Sequence, residues 1–141
     1  MEKTRVLFIC VHNSARSQMA EAFLKKYGGE RFDVNSAGLE PGTLNPLVVN
    51  AMGEIGIDIS ANVTRSAFDL LRQGKWYSWV ITVCDESQAE GCPIFPGLSQ
   101  RQHWNFPDPA AFTGSEEAKL EQVRQLRDRI AAKVREWLQE A

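Results

Sequence analysis

A thiol and a guanidinium stand six positions apart near the N-terminus, Cys10 and Arg16, with Val11-His12-Asn13-Ser14-Ala15 between them. An apolar stretch leads into Cys10, and a stretch of helical periodicity follows Arg16. The cysteine therefore ends a strand and the arginine opens a helix, with a tight loop joining them. Such a junction favours an anion, because backbone N–H groups of the loop and the unpaired donors of a helix N-terminus converge there. The planar fork of Arg16 can grip two oxygens of a tetrahedral oxyanion. The same positive surroundings favour the thiolate of Cys10, the nucleophilic form. Ser17 is placed to donate a hydrogen bond to that sulfur, and Asn13 tolerates a left-handed backbone and can brace the loop. The chemistry implied is nucleophilic attack by Cys10 on an oxyanion bound by residues Val11, His12, Asn13, Ser14, Ala15, Arg16 and Ser17.

Two further cysteines, Cys84 and Cys92, bracket seven residues at the start of a loop-like stretch. Cys84 also fits as a small hydrophobe at a strand end, whereas Cys92 lies among Gly91, Pro93 and Pro96, a poor setting for core packing. Their spacing is not that of a zinc site, and His103 completes no recognisable ligand set, so no metal is expected. A redox role accounts for all three cysteines. A thiolate that has attacked an oxyanion centre needs a second thiol to resolve the adduct, and a third can carry the oxidation to the surface. Asp108, before Pro109, either starts a turn or serves as an acid. His12 and His103 read equally as packing residues and as functional ones, and the four tryptophans as core or loop-packing aromatics.

These residues need a scaffold that brings them together. Residues 5–10 form a nearly continuous apolar run, as expected for a strand buried on both faces of a parallel sheet. A helix is predicted from Ser17, with Met19, Phe23, Leu24 and Tyr27 on one face and Gly28-Gly29 as its stop. Residues 32–36 read as a short strand, and Asn45-Pro46 opens a second helix ending near Gly53 or Gly56. Residues 57–59 look extended, 66–73 helical, 79–83 a central strand and 102–105 a last short strand. Residues 85–100 form a long loop, a kind of segment that is often functional. Thr113 and Glu116 have capping-box spacing, and Leu120, Val123, Leu126, Ile130, Val134 and Trp137 then keep helical spacing to the C-terminus. Alternating strands and helices imply an α/β three-layer sandwich: a central, mainly four-stranded parallel sheet flanked by helices, in one domain over residues 1–141. Ligand sites in such folds lie beyond the carboxyl ends of the strands. Cys10, Cys84 and Asp108 each follow a proposed strand, so one sheet edge can gather all three.

Composition excludes several classes. With 43% hydrophobic and 24% charged residues and a net charge of −2, the chain reads as a globular protein without a nucleic-acid partner. The longest apolar run near the N-terminus, residues 6–11, is too short for a signal-peptide core or a membrane span. A cytoplasmic location and no membrane partner are expected, which keeps the thiols reduced and makes any disulfide transient and catalytic. Nothing points to an obligate oligomer, and a monomer is expected.

The stretch from Cys10 to Ser17 resembles the phosphate-binding loop of the low-molecular-weight protein tyrosine phosphatase fold. "VHNSARSQMAEAF", with "NSAG" at 35–38, "MGEIGIDIS" at 52–60 and "HWNFPDPA" at 103–110, resembles the arsenate reductase branch of that fold more closely. These separated motifs occur in the right order over nearly the whole chain. The resemblance implies arsenate as substrate, a thiol–arsenate adduct on Cys10, and Asp108 as general acid. It further implies attack of Cys84 on the Cys10 sulfur, exchange of Cys92 to give Cys84–Cys92, and thioredoxin as electron donor, with no cofactor. Arg16 remains the oxyanion clamp. The phosphatase alternative needs Cys10, Arg16 and Asp108 but neither Cys84 nor Cys92; Ala110-Ala111 beside the acid, in place of aromatics, argues against a phosphotyrosine substrate. A non-catalytic anion-binding module leaves the cysteine spacing unexplained. Some relatives bind potassium through residues corresponding to Asn13, Glu21, Ser36 and an acid at position 65. Arg65 stands at that position here, so no stable potassium site is expected.

Overall fold

A computed structural model describes residues 3–84 and 99–140. Four strands, β1 (Thr4–Cys10), β2 (Phe32–Gly38), β3 (Trp79–Thr82) and β4 (Gln100–His103), form one sheet in the order β2-β1-β3-β4, every neighbouring pair parallel. The helices are α1 (Arg16–Gly28), α2 (Pro46–Gly53), α3 (Ala67–Arg72) and α4 (Glu116–Glu140). The expected α/β sandwich is therefore present. Val6, Phe8 and Cys10 of β1 pack with residues of α1, α2 and α4, including Met19, Phe23, Met52, Val123 and Val134. Leu7 and Ile9 face the other way, onto Ala67 and Leu70 of α3 and buried Tyr77. Strand β1 is thus buried on both faces, which is why its sequence shows no polar alternation.

The chain leaves β1 for β2 on one side of the sheet and continues to β3 on the other. Such a switch in strand order opens a crevice beyond the carboxyl ends of β1 and β3. Cys10 is the last residue of β1 and Cys84 lies two past β3. Val83 N–H donates to the Ile9 carbonyl at 2.8 Å, so the residues just before each cysteine are bonded together.

Local signals explain most boundaries. Asn45 caps α2 by accepting from Leu47 N–H at 2.9 Å, with Pro46 in the first turn. Ser66 caps α3 by accepting from Asp69 N–H. Two expectations need correction. The last strand lies at Gln100–His103, not 102–105. It is an edge strand of four polar residues, so no apolar pattern marks its register. The cap of α4 is Ser115, whose hydroxyl accepts from Ala118 N–H at 3.1 Å, not Thr113. Gly114, at φ 112°, turns the chain and leaves Thr113 outside the helix, its carbonyl accepting from Gln122. Residues 57–59 are irregular and join no ladder. Trp79, Trp104 and Trp137 pack in or against the core, while Trp76 is half exposed, its ring covered by the Arg5 guanidinium at 4.6 Å.

Helix α4 is fastened to the end of α2 by charge. Arg124 and Arg127 both donate to the Glu54 carboxylate, and Arg127 also donates to the Ala51 carbonyl at 2.9 Å. The hydrogen bond from Arg124, aided by Arg127, holds the Glu54 carboxyl below its ordinary value of 4.5. A lowered carboxylate value stabilises the fold above the unfolded value and loses that contribution as pH falls through the folded one. Thermal melts from about pH 6 down to pH 3 will accordingly fall more steeply for wild type than for Glu54→Gln. Parallel curves would show that the clamp contributes nothing.

Candidate active site

The loop of residues 11–15 is shaped by what its carbonyls bind. Leu39, Glu40, Gly42 and Asn45 N–H groups donate in turn to the carbonyls of Cys10, Val11, His12 and Ser14, at 2.8–3.1 Å. A strap of chain after β2 therefore occupies the outer side of the loop. Gly38 begins that strap; a Cβ there would sit 2.7 Å from Asn13 N and 2.8 Å from the Val11 carbonyl oxygen. Only glycine lets β2 lie this close to the loop.

Asn13 takes the left-handed conformation at φ 55°. Its side chain is fully buried and fully bonded. The amide nitrogen donates to Ser17 Oγ at 2.7 Å and to Ser36 Oγ at 3.0 Å. The amide oxygen accepts from Arg65 N–H at 2.9 Å and from Gln18 Nε2 at 3.2 Å. Because Ser17 Oγ already accepts from Asn13, its own proton is free to point at Cys10 Sγ, 2.9 Å away. Asn13 N–H points at the same sulfur at 3.1 Å. Two donors on one sulfur stabilise negative charge there.

Arg16 opens α1 and is only 2% exposed. Its Nη1 donates to the Phe106 carbonyl at 3.0 Å, and its Nη2 lies 3.6 Å from Asp108 Oδ2. Its Nε is buried with no hydrogen-bond partner among the described residues. A buried donor left unpaired costs about 1–3 kcal/mol, so an acceptor oxygen placed beside this Nε would be bound favourably. Ala15 gives α1 no side-chain cap, which leaves the first-turn donors of the helix available to the same acceptor.

Asp108 follows β4 and caps a short 3-10 turn by accepting from Ala110 N–H at 3.0 Å. It is a turn former and a neighbour of Arg16 at once. Cys84 is 2% exposed and shares an apolar cluster with Cys10, Val83, Trp104 and Phe106. Cys92 lies outside the described residues, as does most of the loop expected over 85–100. His12 is exposed at the loop rim, and its Nδ1 is 2.9 Å from the Glu40 carbonyl, so that nitrogen carries the proton. Val11 and Ser14 are half-buried and Ala15 buried. His103 Nδ1 contacts Thr82 Oγ1 at 2.7 Å.

Around the positions named for potassium, the polar atoms are bonded within the chain. Glu21, 8% exposed, accepts from Ser36 Oγ and from Lys25 Nζ, each at 2.5 Å. Sequence reasoning missed Gln18, which bonds Asn13 and the Val63 carbonyl from inside α1, and the Phe106 carbonyl that seats Arg16. A glutamine in a helix and a main-chain oxygen carry no signal of their own. Among the described residues no cluster of metal-ligating side chains occurs, and no helix is long and apolar enough to cross a membrane.

Residues 5–141 match the family model described as low molecular weight phosphotyrosine protein phosphatase. An arsenate reductase of Bacillus subtilis (strain 168) is 42% identical, over 97% of this chain and 96% of that protein. A solved thioredoxin-dependent arsenate reductase of Corynebacterium glutamicum superposes with a TM-score of 0.73 at 28% identity; the match covers 98% of this chain and 61% of that one. A solved arsenate reductase in a phosphate-binding state gives 0.74 at 28% identity, covering 97% and 98%.

Proposed function

Because the chain belongs to the low molecular weight phosphotyrosine protein phosphatase family, among its arsenate reductases, we propose that it reduces arsenate to arsenite by a three-cysteine relay regenerated by thioredoxin. The observation that carries this reading is the Cys10 sulfur, held by Asn13 N–H and Ser17 Oγ, with a buried Arg16 opening the next helix whose Nε has no hydrogen-bond partner among the described residues. Cys84 lies two residues past the neighbouring strand β3.

The steps follow from thiol chemistry. Arsenate sits in the loop, its oxygens taken by backbone N–H groups and the Arg16 fork. The Cys10 thiolate attacks arsenic, and an oxygen leaves as water with a proton from Asp108. Cys84 then attacks Cys10 Sγ. The S–As electron pair stays with arsenic, which departs as arsenite, and a Cys10–Cys84 disulfide remains. Cys92 attacks Cys84, freeing Cys10 and leaving Cys84–Cys92. The two thiols of thioredoxin reduce that disulfide and are themselves oxidised. Each cycle moves two electrons, from thioredoxin to arsenic.

The test is arsenate-dependent NADPH oxidation with thioredoxin and thioredoxin reductase. Wild type turns over repeatedly. Cys10→Ser falls to background, and Cys84→Ser and Cys92→Ser lose multiple turnover. Full turnover by Cys92→Ser would overturn the relay, and turnover with glutaredoxin and glutathione but not thioredoxin would overturn the donor.

A further inference from the structure

A cavity of about 680 Å³ opens beside α3, and Asn35, Arg65, Ser66, Asp69, Gln73 and Lys75 line it. The cavity is open to solvent, and Arg65, Asp69, Gln73 and Lys75 on its wall are all exposed. Its charges are unbalanced. Among the described residues that line it, the one carboxylate, Asp69, is already paired with Arg72 of the same helix. The side chains of Arg65 and Lys75 have no hydrogen-bond or ion-pair partner among the described residues. Glu21, across the adjoining cavity that Arg65 also lines, has its carboxylate bonded to Ser36 and Lys25. Two cations thus line one cavity with no counter-charge of their own among the described residues.

The donors present select the kind of anion. The Cys10 loop suits a tetrahedral oxyanion because many backbone N–H groups converge there. Here the Arg65 N–H is spent on Asn13 Oδ1 and the Asp69 N–H on Ser66 Oγ. What remains is a planar guanidinium fork, which matches a carboxylate in two parallel hydrogen bonds, and a separate ammonium point charge. We propose that this cavity binds a small organic anion with two or more carboxylates, anchored by Arg65 and Lys75, with the Gln73 amide as a further polar contact. Its occupant adjoins the catalytic loop through one residue's backbone: Arg65 N–H holds the Asn13 side chain at 2.9 Å, and the Arg65 carbonyl accepts from Gly38 N–H at 2.8 Å.

The experiment is a titration of the full 15N-labelled chain with citrate, with parallel arms in acetate, inorganic phosphate and sodium chloride. Citrate will shift the Arg65, Gln73 and Lys75 amides and the Asn13 side-chain amide saturably, at least tenfold more tightly than acetate. The double variant Arg65→Ala/Lys75→Ala will bind citrate at least tenfold more weakly, while phosphate still shifts residues 11–17 and so reports an intact fold. Should that variant not fold, Lys75→Ala alone will show the weakening. Citrate shifts confined to residues 11–17, shifts equalled by sodium chloride, or unchanged affinity in the variants would overturn the proposal. Loss of the phosphate response in wild type would instead count against the catalytic loop, independently of this cavity.

Discussion

Arg16→Lys will lower kcat/KM for arsenate by about 10²–10³-fold, the loss typical of a single preorganised oxyanion donor. Arg16 holds three separate relations in the resting site: Nη1 to the Phe106 carbonyl, Nη2 beside Asp108, and Nε buried without a partner among the described residues. A lysine retains the charge but presents it at one point and cannot form two parallel hydrogen bonds. It also cannot bond Phe106 and the oxyanion in the same plane, so the acid at position 108 loses its fixed neighbour. The readout is steady-state kinetics with arsenate, together with the inhibition constant of phosphate, which will rise. Circular dichroism and melting will show a folded protein. A fall in kcat/KM of less than about fivefold would mean that charge alone binds the oxyanion, with no part for the fork.

Gly38→Ala will cost activity by about 10²-fold or more and destabilise the fold by about 1–3 kcal/mol, the range for overpacking a dense interior. The added methyl would lie 2.7 Å from Asn13 N, 2.7 Å from the His12 carbonyl carbon and 2.8 Å from the Val11 oxygen. All three are backbone atoms, so no rotamer change relieves the clash. Either β2 moves from β1, where Gly38 pairs with Cys10, or the loop moves and carries Asn13 N–H away from the sulfur. Gly53→Ala is the control, since nothing lies within 4 Å of its added methyl and alanine suits a helix better than glycine. Stability and activity are read by denaturant melts and arsenate turnover. Wild-type activity in Gly38→Ala would show that the strap does not set the loop's shape.

Sequence marks structure plainly where one physical demand dominates. Strand β1 must be apolar on both faces, and residues 5–10 say so; Asn45-Pro46 and the glycines at 28–29 punctuate helices as their chemistry requires. The loop was legible because a thiol, a residue tolerant of left-handed backbone and a guanidinium stand at fixed intervals. Strand β4 was misplaced because Gln100-Arg101-Gln102-His103 carries no pattern; its register comes from the ladder to β3. The cap of α4 was misplaced because Thr113 and Ser115 both can cap, and the turn at Gly114 decides between them. Gln18, the Phe106 carbonyl and the role of Gly38 were out of reach, since each depends on contacts between segments 5 to 90 positions apart in sequence. Local spacing singles out Cys10 and Arg16; the tertiary fold alone supplies what holds them.

In the proposed relay Cys84 resolves an adduct formed on Cys10. Its most direct test is a single turnover of the reduced Cys92→Ser variant with excess arsenate, quenched by thiol alkylation and mapped by peptide mass spectrometry. The expected result is one arsenite released per protein chain and a Cys10–Cys84 disulfide, with arsenite release lost when Cys84→Ser is added. Stoichiometric arsenite release with Cys10 and Cys84 both recovered as alkylated thiols would contradict it.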